Sequence, residues 1–163
     1  MHQFLMERTR HRPRDFLTLL SYIQGAARRS GILSDADIDE GVSRYCLQYF
    51  IPEIRGELNL LLPKDEAYHA LGLLKSMGGS EFYVGELQSK AKSDERYRDL
   101  NISAVLEQLF ICGAIGNVVQ GRSELYYDFS YRNPEVEFDP DRRLILHNAI
   151  IQGLNIPRQV IRS

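Results

Sequence analysis

The residues able to do chemistry in this chain are two cysteines, four histidines, an acid run and a group of arginines near the start, and their spacing decides what each can do. Cys46 and Cys112 sit in apolar runs, Tyr45-Cys46-Leu47 and Ile111-Cys112-Gly113, where a thiol behaves as a small buried hydrophobe. This fits a reducing compartment and implies no metal. His2, His11, His69 and His147 are dispersed, with no H-x-x-x-H pair and no cysteine at ligand spacing, which argues against zinc. His147, beside Leu146 and near Ile150, reads as a packed or hydrogen-bonded histidine. The run Asp35-Ala36-Asp37-Ile38-Asp39-Glu40-Gly41 starts like a calcium loop, but its glycine comes at the seventh position and Cys46 stands at the twelfth, where a bidentate glutamate belongs. Acids favouring the positive end of a helix account for it better. No G-x-S-x-G elbow is present, Cys112 has no sequence cue to a catalytic histidine, and the absence of any Gly-Lys dipeptide rules out a P-loop. The tyrosines fall mostly at helical or alternating spacing, which assigns them to packing rather than base stacking. The chain is therefore expected to be non-enzymatic and to hold no cofactor of its own.

Charge is distributed unevenly. The net charge of -2 opposes blanket phosphate neutralisation, yet residues 1–30 hold six arginines against Glu7 and Asp15, a balance of +4. Residues 31–60 hold Arg44 and Arg55 against six acids, a balance of -4. A hydrophobic content of 44% with 26% charged residues is that of an ordinary globular protein, able to bury one good core or two small ones. Neither a membrane-spanning run nor a signal-peptide core occurs, so the expected location is cytoplasmic.

These groups must be positioned by a mainly α chain with a small β-hairpin. After a short loose start, Pro13 suits a first helical turn, and Phe16, Leu19, Leu20 and Ile23 form one apolar stripe that ends at Gly31. Ser34 or Asp35 caps a second helix through Ile38, Val42, Tyr45, Cys46, Tyr49 and Phe50, which Pro52 should kink or divide. A helical pattern resumes over 53–62, and Pro63 closes the segment. Then come a helix over 66–77, a Gly78-Gly79 break, an extended Phe82-Tyr83, a helix over 84–92, a connector over 93–100 and a helix over 101–112. Two β-rich stretches come next, 115–119 and 124–131, around Gly121-Arg122-Ser123, and a last helix is expected over 142–153. That order is the winged-helix order, although the connector between the last two helices is long. The expected partition is a helical lid-like segment over 1–63 and a winged helix-turn-helix with a C-terminal helix over 64–163.

A winged helix invites a DNA reading. The helix that would enter the groove, Ser103 to Cys112, has no Lys or Arg and carries Glu107, leaving Ser103 and Gln108 to address bases and Arg122 alone at the wing tip. A protein-contact surface is preferred, with a small DNA-binding regulator as the rival. Self-association stays open.

At Arg12-Pro13-Arg14-Asp15-Phe16-Leu17 the sequence resembles bacterial P-loop ATPases of the broad STAND and KAP-like kind, in which R-P-R-D followed by apolar residues opens the helical lid beside the nucleotide. Ser43-Arg44-Tyr45, Gly113-Ala114-Ile115-Gly116 before the wing and a late Leu146-His147 agree with the C-terminal portion of such ATPases in order. The nucleotide-binding core, which precedes R-P-R-D in that family, has no counterpart here. The resemblance implies a fragment or separate subunit, with a P-loop ATPase core or effector as protein partner and ATP or another nucleotide engaged only through that core. It makes Arg14, then Arg12, candidates for sensing nucleotide phosphate, since a cation in the first helical turn adds to the helix's own positive end. The alternative is that both solvate the helix start or pair with acids such as Asp35 or Asp37.

Overall fold

In the computed structural model, which describes residues 2–27, 32–121 and 124–158, helices carry most of the chain and a four-stranded antiparallel sheet lies in its C-terminal half. The expected loose start is a short helix, α1 (His2–Met6), whose Leu5 joins the core. Helix α2 (Pro13–Ala26) begins with proline where its missing N–H costs nothing, and buries Asp15, Leu19 and Ile23. It stops before Gly31, which lies outside the described residues.

Ser34 opens α3 (Asp35–Tyr45) through a reciprocal cap. The Asp37 N–H donates to Ser34 Oγ at 3.2 Å, and the Ser34 N–H donates to Asp37 Oδ2 at 2.9 Å. The acid run is therefore the first turn of a helix. The expected division of the helical path at Pro52 falls as a change of helix type rather than a break. A π-helical turn over Cys46–Phe50 leads directly into α4 (Ile51–Leu61), with the Ile51 N–H bonded to the Cys46 carbonyl. The wider turn suits a proline ring that would otherwise collide with the carbonyl of Gln48, four residues back.

Helix α5 (Lys64–Ser76) ends at a turn where Gly78 takes φ +69, and strand β1 (Glu81–Phe82) comes after it. Helix α6 (Val84–Lys92) leads through turns to α7 (Ile102–Ile111), whose cap Asn101 accepts from the Ala104 N–H at 3.2 Å. Strands β2 (Ile115–Gln120) and β3 (Leu125–Asp128) pair as a hairpin.

The helix expected over 142–153 is only half there. Its first part is strand β4 (Leu144–Leu146), and α8 (Asn148–Gly153) is a short helix behind it. Leu144 and Leu146 point into the core, and β4 pairs with β1 on one side and β2 on the other, giving the order β1-β4-β2-β3. The sheet thus has four strands rather than a hairpin alone, and β4 separates that hairpin from β1. One cluster of buried apolar residues runs from Leu5 through Leu58 and Leu106 to Ile156, across Pro63.

Gly41 marks the tightest crossing, that of α2 on α3. A Cβ there would stand 2.4 Å from Ile23 Cα, and backbone cannot yield as a side chain can. Gly41→Ala is expected to cost about 3 kcal/mol in urea denaturation, at the upper end for overpacking; a loss below about 0.5 kcal/mol would show that the two helices can part freely.

Candidate functional site

The site is built on the strap that joins α1 to α2. Arg8, Thr9 and Arg10 are all buried. Arg8 donates from Nη1 to the Phe4 carbonyl at 2.8 Å and from Nε to Gln152 Oε1 at 3.2 Å. The Thr9 carbonyl lies 3.2 Å from His147 Nε2, and His147 Nδ1 accepts the Ala149 N–H at 3.0 Å. An accepting Nδ1 leaves the proton on Nε2, so the ring is neutral and donates to Thr9. His147 also stacks on Phe50 with centroids 4.6 Å apart. Burial pushes its pKa down to about 3, with the nearby Arg132 and Arg10 acting in the same direction.

Arg10 is the centre of the arrangement. Only 1% exposed, it donates from Nε to Asp15 Oδ2 at 3.3 Å and from Nη1 to Glu57 Oε1 at 2.7 Å and to the Cys112 carbonyl at 3.3 Å. Asp15, fully buried, also accepts from Tyr49 Oη at 3.0 Å. A guanidinium removed from water has to be neutralised at once, and these acceptors do so from α2 and α4 together. His11 then takes φ 55, a left-handed conformation unusual for a residue with a side chain. Immediately after this turn the chain surfaces: His11, Arg12, Pro13 and Arg14 are exposed.

Arg12 and Arg14 do not pair with Asp35 or Asp37. Arg12 Nη1 meets Glu57 Oε1 at 3.3 Å, and Arg14 Nη2 meets Glu53 Oε2 at 2.7 Å. Glu53 and Glu57, four residues apart, share one face of α4. The side chains of Arg12 and Arg14 are 46% and 64% exposed, those of Glu57 and Glu53 28% and 34%, so these outer pairs are screened and weak beside the buried one. Three guanidiniums thus face Asp15, Glu53 and Glu57 with no surplus of either sign. Chemically the cluster offers two exposed cations at a helix start. Arg12 also borders an open cleft of about 720 Å³ with Phe110, Val136 and Phe138 on its apolar side and Glu107 and Glu137 among its charged lining.

Of the residues weighed for DNA contact, two lie on α7. On α7, Ser103, Glu107 and Ile111 are exposed and Gln108 is half-buried, an outward face without a cation. Arg122 lies outside the described residues. Among the described residues, no group of three or more His, Cys, Asp or Glu side chains could hold a metal, and no helix is long and apolar enough to cross a membrane. Comparison with protein-family models, curated proteins and solved structures finds no match to this chain.

Arg10, Tyr49, Glu53 and Glu57 are the site residues that sequence reasoning did not single out. The signal available was the juxtaposition of a basic start with an acidic neighbour; which members pair was not readable from it.

Two outcomes are expected. Asp15→Asn, which leaves Arg10 with Glu57 but removes its most buried counter-charge, should cost about 3 kcal/mol in chemical denaturation, whereas Arg14→Ala should leave stability nearly unchanged. For His147 the folded-state pKa lies below the unfolded value of roughly 6.5, so between that value and about 3 the unfolded chain binds the extra proton. Stability should therefore fall as pH is lowered across that window, more steeply than in His147→Asn by up to one proton. Parallel pH slopes for the two proteins would show that His147 is not held neutral.

Proposed function

We propose that this chain is a non-catalytic regulatory module of a P-loop ATPase of the STAND or KAP-like kind, in which α1 to α4 act as a helical lid and the unit after Pro63 acts as a winged helix that contacts protein. The observation that carries the reading is the pair of exposed cations, Arg12 and Arg14, at the start of α2, on a helix whose position is set by the buried Arg10–Asp15 pair. A mobile guanidinium on a fixed base suits a group that must find a phosphate presented from outside. No side chain caps the start of α2 at Arg12, which leaves the helix's positive end available to the same anion.

These residues fit the outer oxygens of a phosphate. This sequence lacks a P-loop, so ATP is held tightly only when a separate core supplies it. The winged-helix reading rests on the order α5, β1, α6, α7 and the β2–β3 hairpin. The cation-free outer face of α7 favours protein over DNA as the surface's partner.

The test is reconstitution with a P-loop ATPase core encoded next to this chain. Complex formation should depend on ATP over ADP and be lost in Arg14→Ala, while the chain alone hydrolyses no ATP. Tight, Arg14-dependent nucleotide binding by the isolated chain would overturn the dependence on a partner. A gel shift at micromolar protein with a steep salt slope would replace the protein-contact reading by the DNA one.

A further inference from the structure

Within the arginine cluster one buried donor is left unused. Arg10, 1% exposed, directs Nε to Asp15 and Nη1 to Glu57 and Cys112, but its Nη2 is buried without a hydrogen-bond partner. A buried donor without an acceptor is costly, and native structures keep few of them. An acceptor stands just beyond reach: Glu53 Oε2 is 3.9 Å from Arg10 Nη2, and the same oxygen is held at 2.7 Å by Arg14 Nη2. Glu53 therefore has two cationic partners, an exposed one that it contacts and a buried one that it nearly contacts.

We propose that Glu53 is a movable counter-anion: a phosphate group arriving at Arg12 and Arg14 takes its place on Arg14, and the displaced carboxylate closes onto Arg10 Nη2. This rests on the reading of Arg12 and Arg14 as phosphate-facing cations and adds the means by which occupancy is exchanged. The exchange is favoured on both sides. A phosphate offers several charged oxygens to two guanidiniums where Glu53 offers one carboxylate to one. The carboxylate is not left unpaired, since it satisfies the donor that the resident arrangement leaves open. Glu57 holds its 2.7 Å contact to Arg10 throughout, so α4 stays anchored while Glu53 moves. The ligand is recognised through its terminal phosphate alone, whether free polyphosphate or nucleotide.

The experiment uses the full chain and inorganic triphosphate, with ATP in parallel, monitoring the arginine Nε–Hε resonances by NMR. Weak binding is expected for the wild type. Glu53→Gln should tighten it about three- to fivefold, the equivalent of losing one exposed competing ion pair. Glu40→Gln, which removes an exposed acid paired elsewhere with Arg44, should leave it unchanged. The Arg10 signal should shift on saturation of the wild type but not of Glu53→Gln, a difference that a merely structural role for Glu53 would not produce. Glu53→Ala should agree in sign with Glu53→Gln.

Equal affinities for wild type and Glu53→Gln, or equal tightening by Glu40→Gln, would overturn the exchange while Arg14-dependent binding left the phosphate reading standing. Binding unaffected by Arg14→Ala, or no response at Arg14 in any variant, would overturn both. An effect of Glu53→Gln on ATP but not on triphosphate would overturn recognition through phosphate alone.

Discussion

A fully buried guanidinium constrains more of this molecule than any other group. Arg10 cannot be taken out of water without fixed acceptors, and it draws them from the start of α2, the face of α4 and the end of α7. Each acceptor then has to be held by the packing of its own element. Asp15 lies at the core-facing start of α2 beside Leu19, Glu57 lies one residue before the buried Leu58, and the Cys112 carbonyl comes just after the last turn of α7. One cation thus ties together three helices that the chain visits far apart. His147 performs a related task without charge, joining the Thr9 carbonyl to the first turn of α8. The strap at residues 8–10 is held by Glu57, the Cys112 carbonyl, His147 and Gln152.

Elements whose signals are local were legible in the sequence. Ser34 before the acid run, Asn101 before an apolar run, Pro13 in a first turn and Gly78 after a last turn each mark a boundary through their own backbone chemistry. Strand β4 was not legible. Leu144-Ile145-Leu146 is too short to show a period, and its strand character comes from the two neighbours that it pairs with. The site was half legible for the same reason. R-P-R-D drew attention to Arg12 and Arg14, and the change from basic to acidic composition hinted at pairing. But Arg14 meets Glu53 across 39 residues and Arg10 meets Glu57 across 47. Only tertiary structure sets such registers, and the left-handed turn at His11 decides which arginine goes inside.

Burial also sorts the arginines by how their pairs meet solvent. The Arg10–Asp15 pair is shielded and acts as scaffold, whereas Arg12 and Arg14 meet the part-exposed Glu57 and Glu53 where water and salt compete. Two side chains on the same short segment can therefore differ in how readily they exchange partners, although their intrinsic chemistry is identical. The zero charge balance of the cluster leaves it little long-range attraction for ions of either sign.

The π-helical turn at Cys46–Phe50 bears on how the length of this chain can vary. At about 100° per residue, an unbroken α-helix would place Ile54 roughly 120° around from Val42, yet both are fully buried. The wide turn absorbs about one residue's rotation and brings the two faces into line, so that Glu53 and Glu57 look toward Arg10. A single-residue deletion at the exposed Leu47 would keep the downstream face in register, but the ordinary α geometry it restores would set the Pro52 ring against the carbonyl four residues back. The same deletion within α3 or α4 would swing everything beyond it by about 100°. The aim of Glu53 and Glu57 thus depends on the width of one turn of five residues just before them, and on the proline that this turn accommodates.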